Sequence, residues 1–273
     1  MKRIRLLRGL SAASLVALAA TVSGVAGSTQ AAHAANPVPL PSALSNHPFA
    51  KQFSASELAS SPWNEPTNSP GNCPANPAQV SLNSSGYAEL TTTGKAGNCT
   101  SIESPHTYPT KDGYVYEADI YFSSWENWPS FWMYGNDWPQ DGEIDSVEAN
   151  LDNNYVTWHY GTSNSTIGTG SWNNQVVKPT GANISPGWHT VDIAFGGNRI
   201  QVFYDGYSYV TIPETLTGTT DDPMWIVFSD GSCDQQTSSN PDGPNVCANG
   251  TTGVGVAGNI QIKWLRVFLP PAS

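Results

Sequence analysis

Residues 138–149 read WPQDGEIDSVEA, a β-forming run that carries three carboxylates, Glu143, Asp145 and Glu148, within six positions. Side chains on a strand alternate between its faces, so Glu143 and Asp145 share a face and the regular pattern continues at Val147. Glu148 comes one residue late. A bulge between Asp145 and Glu148 would absorb the extra residue and turn all three acids to one side, with Ile144 and Val147 on the opposite, apolar side. Like charges crowded on one face repel, so a fold keeps them there when they have work to do.

The work such a set suits is glycoside hydrolysis with retention. One carboxylate attacks the anomeric carbon and a second protonates the leaving oxygen, the two standing about 5 Å apart. Asp145 would lie between them, hydrogen-bonding the nucleophile and keeping Glu148 protonated by like-charge repulsion. The competing readings of the acids alone are a solvated acidic face or a carboxylate cage for calcium.

Outward from the acids, alternating runs rich in aromatic and β-branched residues recur at Tyr87–Thr92, Tyr114–Phe122, Val191–Phe195, Ile200–Tyr204, Met224–Phe228 and Ile260–Phe268. Gly, Asn, Asp and Pro separate them, and no helical stripe appears. Gly196, Gly197 and Asn198 read as one tight hairpin, Asp205 and Gly206 as another. The expectation is an all-β, antiparallel two-sheet sandwich. Ser232–Gly253 is a long polar loop, of the kind that is often functional.

The first 35 residues read as a secretory signal peptide: Lys2, Arg3, Arg5 and Arg8, an apolar run from Leu10 to Gly27, and an A-x-A site at Ala32–Ala34. Residues 36–50 are a Pro- and Ala-rich lead-in, and 51–273 form a single domain. Removing the peptide leaves seven Lys and Arg against twenty-two Asp and Glu, net −15. That charge repels nucleic acid and anionic membrane and makes a neutral polysaccharide the easier substrate. Four cysteines in an exported chain read as two disulfides, with the local pairs Cys73–Cys99 and Cys233–Cys247 preferred among three connectivities. The chain has neither a G-x-S-x-G elbow nor an H-E-x-x-H pair, which removes serine-hydrolase and zinc-protease readings.

The acid segment resembles glycoside hydrolase family 16, whose signature E-x-D-x-x-E or E-x-D-x-E follows a W-P-x-F-W element. Here these are Glu143 to Glu148 and Trp128-Pro129-Ser130-Phe131-Trp132. The longer spacing is similar to the bulged branch, which contains laminarinases and agarases. Further resemblance runs in order through GYVYEADIYF (113–122), WHYG (158–161), GWHTVDIAFGGNRIQVFYDG (187–206) and Ile260–Phe268. It implies a concanavalin-like jelly roll with an open concave cleft, Glu143 as nucleophile, Asp145 assisting and Glu148 as acid/base. It favours Trp128, Trp132 and Trp138 as cleft residues and gives His159 a hydrogen bond to substrate or carboxylates.

Ten tryptophans are many for one chain, and Trp125, Trp128, Trp132, Trp138 and Trp158 cluster in sequence around the acids. Sugar rings stack on indoles, so Trp125, Trp128, Trp132 and Trp138, with His159, are the candidate substrate contacts. Trp63, Trp172, Trp188, Trp225 and Trp264 are taken as structural. The chain departs from the resemblance at Ser229, where many relatives place Asn, and at the polar Ser146 inside the signature. The expectation is thus a monomeric, secreted endo-β-1,3-glucanase acting by double displacement. No cofactor is required; a structural calcium occurs in many relatives, and no residue here identifies its site. The alternatives are a retaining hydrolase of agarose or galactan type, and a non-catalytic lectin on the same sandwich.

Overall fold

The computed structural model describes residues 46–65, 76–93, 98–138, 140–150, 153–161, 172–177, 184–197, 199–213, 222–231 and 257–272. Its strands are β1 (Phe49–Ser54), β2 (Val80–Leu82), β3 (Ala88–Thr91), β4 (Cys99–Glu103), β5 (Val115–Phe122), β6 (Trp128–Gly135) and β7 (Glu143–Asn150). These are followed by β8 (Asn153–Gly161), β9 (Trp172–Val177), β10 (Gly187–Phe195), β11 (Arg199–Tyr204), β12 (Tyr207–Pro213), β13 (Met224–Gly231) and β14 (Asn259–Phe268). One short helix, α1 (Ala55–Leu58), follows β1, its start fixed by a capping box between Ser54 and Glu57.

The strands form two antiparallel sheets, as the alternating runs predict. The eight-stranded sheet has the order β12-β11-β10-β5-β14-β3-β2, with β1 also paired to β14. The six-stranded sheet has the order β4-β13-β6-β7-β8-β9. β1 takes in Phe49 and Ala50, which composition places in the lead-in; ladder partners on β14, starting with Phe49 opposite Phe268, bring them into the sheet.

Alternation supplies the core. Tyr116, Ala118, Ile120 and Phe122 of β5 and Val191, Ile193 and Phe195 of β10 meet Phe131 and Met133 of β6, Ile144 and Val147 of β7, and Val156 and Trp158 of β8. Each neighbour in sequence faces the other way, so the remaining face of the six-stranded sheet is free to carry polar groups. Both expected hairpins are present. Asp205 (φ 51°) and Gly206 (φ 77°) are both left-handed, the geometry of a two-residue hairpin turn with the right-handed twist of its strands.

Of the four cysteines, Cys99 falls among the described residues; Cys73, Cys233 and Cys247 lie outside them, as do the expected signal peptide and the loop 232–253. Among the described residues no helix is long and apolar enough to cross a membrane.

Candidate active site

β7 carries the bulge that its sequence demands. Against β6 the register passes from Phe131 opposite Val147 to Trp132 opposite Asp145. Against β8 it passes from Asp145 opposite Thr157 to Glu148 opposite Tyr155. The extra residue re-phases the strand. Ile144 and Val147 are both fully buried in the core, whereas Glu143, Asp145 and Glu148 pair with Tyr134, Trp132 and Ser130 on the outer face of the six-stranded sheet. Ser146 is the residue absorbed; its hydroxyl donates to the Phe131 carbonyl at 2.7 Å, which accounts for a polar residue at this point of the signature.

Strand β8 supplies the partners. Residues 157 and 159 lie two apart and therefore share the acids' face. His159 stands opposite Glu143, with its Nε2 3.1 Å from an Asp145 oxygen and 3.4 Å from a Glu143 oxygen. The Thr157 hydroxyl donates to Glu148 at 2.6 Å. Asp145 is therefore joined to Glu143 through a shared imidazole, where the sequence alone suggests a direct hydrogen bond between the two acids.

The electrostatics follow from burial. Desolvation, then the neighbouring Glu143 and Glu148, push the Asp145 carboxyl well above the ordinary range, while His159 pulls the other way. Desolvation also raises Glu143; His159 offsets this, Glu148 adds to it, and the Trp138 indole N–H favours the carboxylate by hydrogen bonding. Burial works against a charged His159, yet Glu143, Asp145 and Glu148 outweigh it and hold the imidazole up to about 10. The three acids thus favour a protonated His159, facing a nucleophile candidate and an Asp145 carboxyl that burial pushes toward its protonated form. One donor atom each from Glu143, Asp145 and His159 lies within 4.8 Å of the others, close enough to share a cation. A protonated His159 supplies that positive charge from within.

The aromatic candidates divide. Trp132 lies beside Asp145 in the ladder, with its indole donating to Ser229 Oγ at 3.1 Å. Its ring stands 5.2 Å from that of Tyr134. Trp138 stands 6.4 Å from the His159 ring. Trp128 occupies the same outer face, two pairs along β6 from Ser130. Trp125 is corrected: it is 4% exposed, packs 5.0 Å from Phe122 and donates its indole N–H to the Ile184 carbonyl, so it belongs to the core. Trp225 moves the other way. Taken as structural, it sits opposite Tyr134 on the acids' face, between the buried Met224 and Ile226.

Sequence reading also misses Thr157, Tyr134 and Glu103. Tyr134 donates its hydroxyl to Glu103 at 2.6 Å, and Glu103, on β4, is almost fully buried. The signal that could have found Thr157 is its spacing of two from His159. Glu103 and Ser229 come from strands remote in sequence, and their place beside Trp132 and Tyr134 appears once the ladder β4-β13-β6 is known.

Comparison with known proteins agrees with this geometry. Residues 75–189 match the family model described as "XgeA-like, catalytic GH16 domain". No curated protein sequence matches the chain. Among solved structures, a family 16 endo-glucanase from Bacteroides ovatus is similar at 22% identity and TM-score 0.54, over 70% of this chain and 86% of that one. LamAcat of Zobellia galactanivorans is similar at 13% identity and TM-score 0.56, over 83% of this chain and 100% of that one. A pseudo β-1,3-glucanase and immunostimulatory antigen of Mycobacterium tuberculosis follows at 17% and 0.52, over 71% and 80%. At these identities the structural likeness is one of fold. The family model, by contrast, spans the W-P-x-F-W element, the bulged acid strand and the His159 strand together, and over those residues the chain is similar to the catalytic domain of glycoside hydrolase family 16.

Proposed function

We propose that the protein is a secreted retaining endo-β-glycanase whose substrate is a β-1,3-glucan. The observation that carries this reading is the bulged register of β7, which turns Glu143, Asp145 and Glu148 to one face beside His159 and Thr157. Glu143 attacks the anomeric carbon while Glu148 gives its proton to the departing oxygen. A glycosyl-enzyme forms, and Glu148 then takes a proton from the water that releases the sugar. His159, positively charged between Glu143 and Asp145, favours an ionised nucleophile in a buried setting. Asp145, leaning toward its protonated form, keeps a second full negative charge from crowding that nucleophile.

Outer-face Trp128 and Trp225, with Trp138 beside His159, offer ring faces on which sugars can stack, while the buried Trp132, bonded to Ser229, and Glu103, bonded to Tyr134, fix the floor beneath them. The net charge of −15 after removal of residues 1–35 favours a neutral glycan. Export as a monomer, with Cys73–Cys99 and Cys233–Cys247 paired, belongs to the same proposal; Cys99 is disulfide-bonded.

Glu143→Gly, given azide and a β-linked aryl glycoside, tests the nucleophile. The expected product is the α-glycosyl azide, and its absence, with the variant folded, refutes the assignment. Products from β-1,3-glucan, mixed-linkage glucan, agarose and β-galactan identify the substrate. Binding without bond cleavage on every one of them would make the protein a lectin.

A further inference from the structure

We propose that Tyr204, a residue of the opposite sheet, is a positioning residue for Glu148, acting with Asn154 through the β7 bulge. The inference rests on the retaining-hydrolase reading, in which Glu148 is the proton donor. A bulge takes backbone groups out of the ladder, and buried N–H and C=O groups must find partners elsewhere. Around Ser146 they find them in one connected unit. The Ser146 carbonyl accepts the Tyr204 hydroxyl at 2.8 Å. The Glu148 N–H donates to Asn154 Oδ1 at 3.0 Å. The Asn154 amide then donates to the Tyr204 hydroxyl and closes the circuit.

The two backbone groups held in this way flank the point where β7 changes phase. Slipping the strand by one residue there would turn Glu148 from the outer face into the core and bring Val147 out. Tyr204 is well placed to forbid that slip. It ends β11, where the Asp205–Gly206 turn fixes the chain, and its ring is wedged 4.7 Å from Tyr209 and 6.1 Å from His189. Tyr204 is 4% and Asn154 5% exposed, so water does not compete for these bonds. Asn154 shares β8 with Thr157, whose hydroxyl holds the Glu148 carboxylate. Backbone and side chain of Glu148 are therefore gripped from the same strand, and Tyr204 anchors that grip to the other sheet.

The test compares a substrate that needs a proton donor with one that does not. In Tyr204→Phe and Asn154→Ala, pre-steady-state glycosylation should fall about thirtyfold on the polysaccharide the wild type cleaves, a part of the roughly 10²–10⁴-fold that general acid catalysis supplies. On a 2,4-dinitrophenyl β-glycoside, whose leaving group departs unprotonated, the fall should stay under about threefold. The double variant should lose no more than the worse single one, because the two residues act as a unit. Exchange of the Glu148 amide hydrogen should quicken in Asn154→Ala. Equal losses on both substrates, no loss, additive losses or an unchanged exchange rate each overturn the proposal. Should Tyr204→Phe not fold, Asn154→Ala carries the same comparison. A wild type inactive on every β-glycan would overturn the hydrolase reading and this role with it, whereas an active wild type with unselective variants overturns this role alone.

Discussion

His159 concentrates the chemistry of the site in one side chain. Its charge is what lowers Glu143 and Asp145 against the pull of burial. Removing that charge while keeping a polar side chain, as in His159→Gln, should raise both carboxyls. A nucleophile must be ionised, so the acid limb of kcat/KM against pH should move to higher pH, with a loss of about tenfold or more at neutral pH. An unmoved limb would show that the imidazolium does not govern Glu143. The four residues at the centre, Glu143, Asp145, Glu148 and His159, were legible because each stands in a short ordered motif. Thr157, Tyr134, Glu103, Asn154 and Tyr204 were not, since each takes its meaning from a partner set by cross-strand register. Trp125 shows the converse: nearness in sequence to the acids says nothing about which face an indole takes, and packing against Phe122 decided it.

Strand β7 is held to its course at both ends by local geometry. Its bulge could be anticipated from three acids set out of phase, since an apolar Val147 and an acidic Glu148 can each reach their proper face only if one residue is skipped. The approach to the strand could not. Gly142, immediately before Glu143, has φ 80°, and a Cβ there would lie 2.4 Å from the buried Trp158 ring. Gly142→Ala combines left-handed strain with a collision against a rigid core indole, and should cost about 2–4 kcal/mol. Urea unfolding measures this; a loss below about 1 kcal/mol would mean that the segment relaxes freely. The hairpins after Phe195 and after Tyr204 were legible for the opposite reason, because glycine and aspartate in tight turns announce their own backbone angles.

Across the molecule, burial of acids governs the response to pH. Asp192 is raised to about 8 by desolvation with Glu117 and Asp205 nearby, and neither of its oxygens has a hydrogen-bond partner. Asp230, also raised by desolvation to about 8, accepts a hydrogen bond from Asn127. In each case the folded state binds the proton more tightly than the unfolded one, so the stability gained is full below the ordinary carboxyl range and is lost as pH rises from about 4 to about 8. His159 extends the decline, from about 6.5 to about 10. Thermal melts should therefore show a protein more stable at pH 5 than at pH 8, and Asp192→Asn, which mimics the protonated form, should recover on the order of 2 kcal/mol at pH 8. A flat profile would contradict it. The two-sheet architecture was legible in the alternating runs, but the order of strands was not, because nothing in a strand's own residues names its neighbour. That order has a further consequence. β14 lies between β5 and the edge shared by β3 and β1, partners drawn from the first half of the chain. Until residues 259–268 have been synthesised, those earlier strands are left with open hydrogen-bonding edges, so the nascent polypeptide stays loose and in need of shielding while it emerges, and the sheet closes late through long-range pairing.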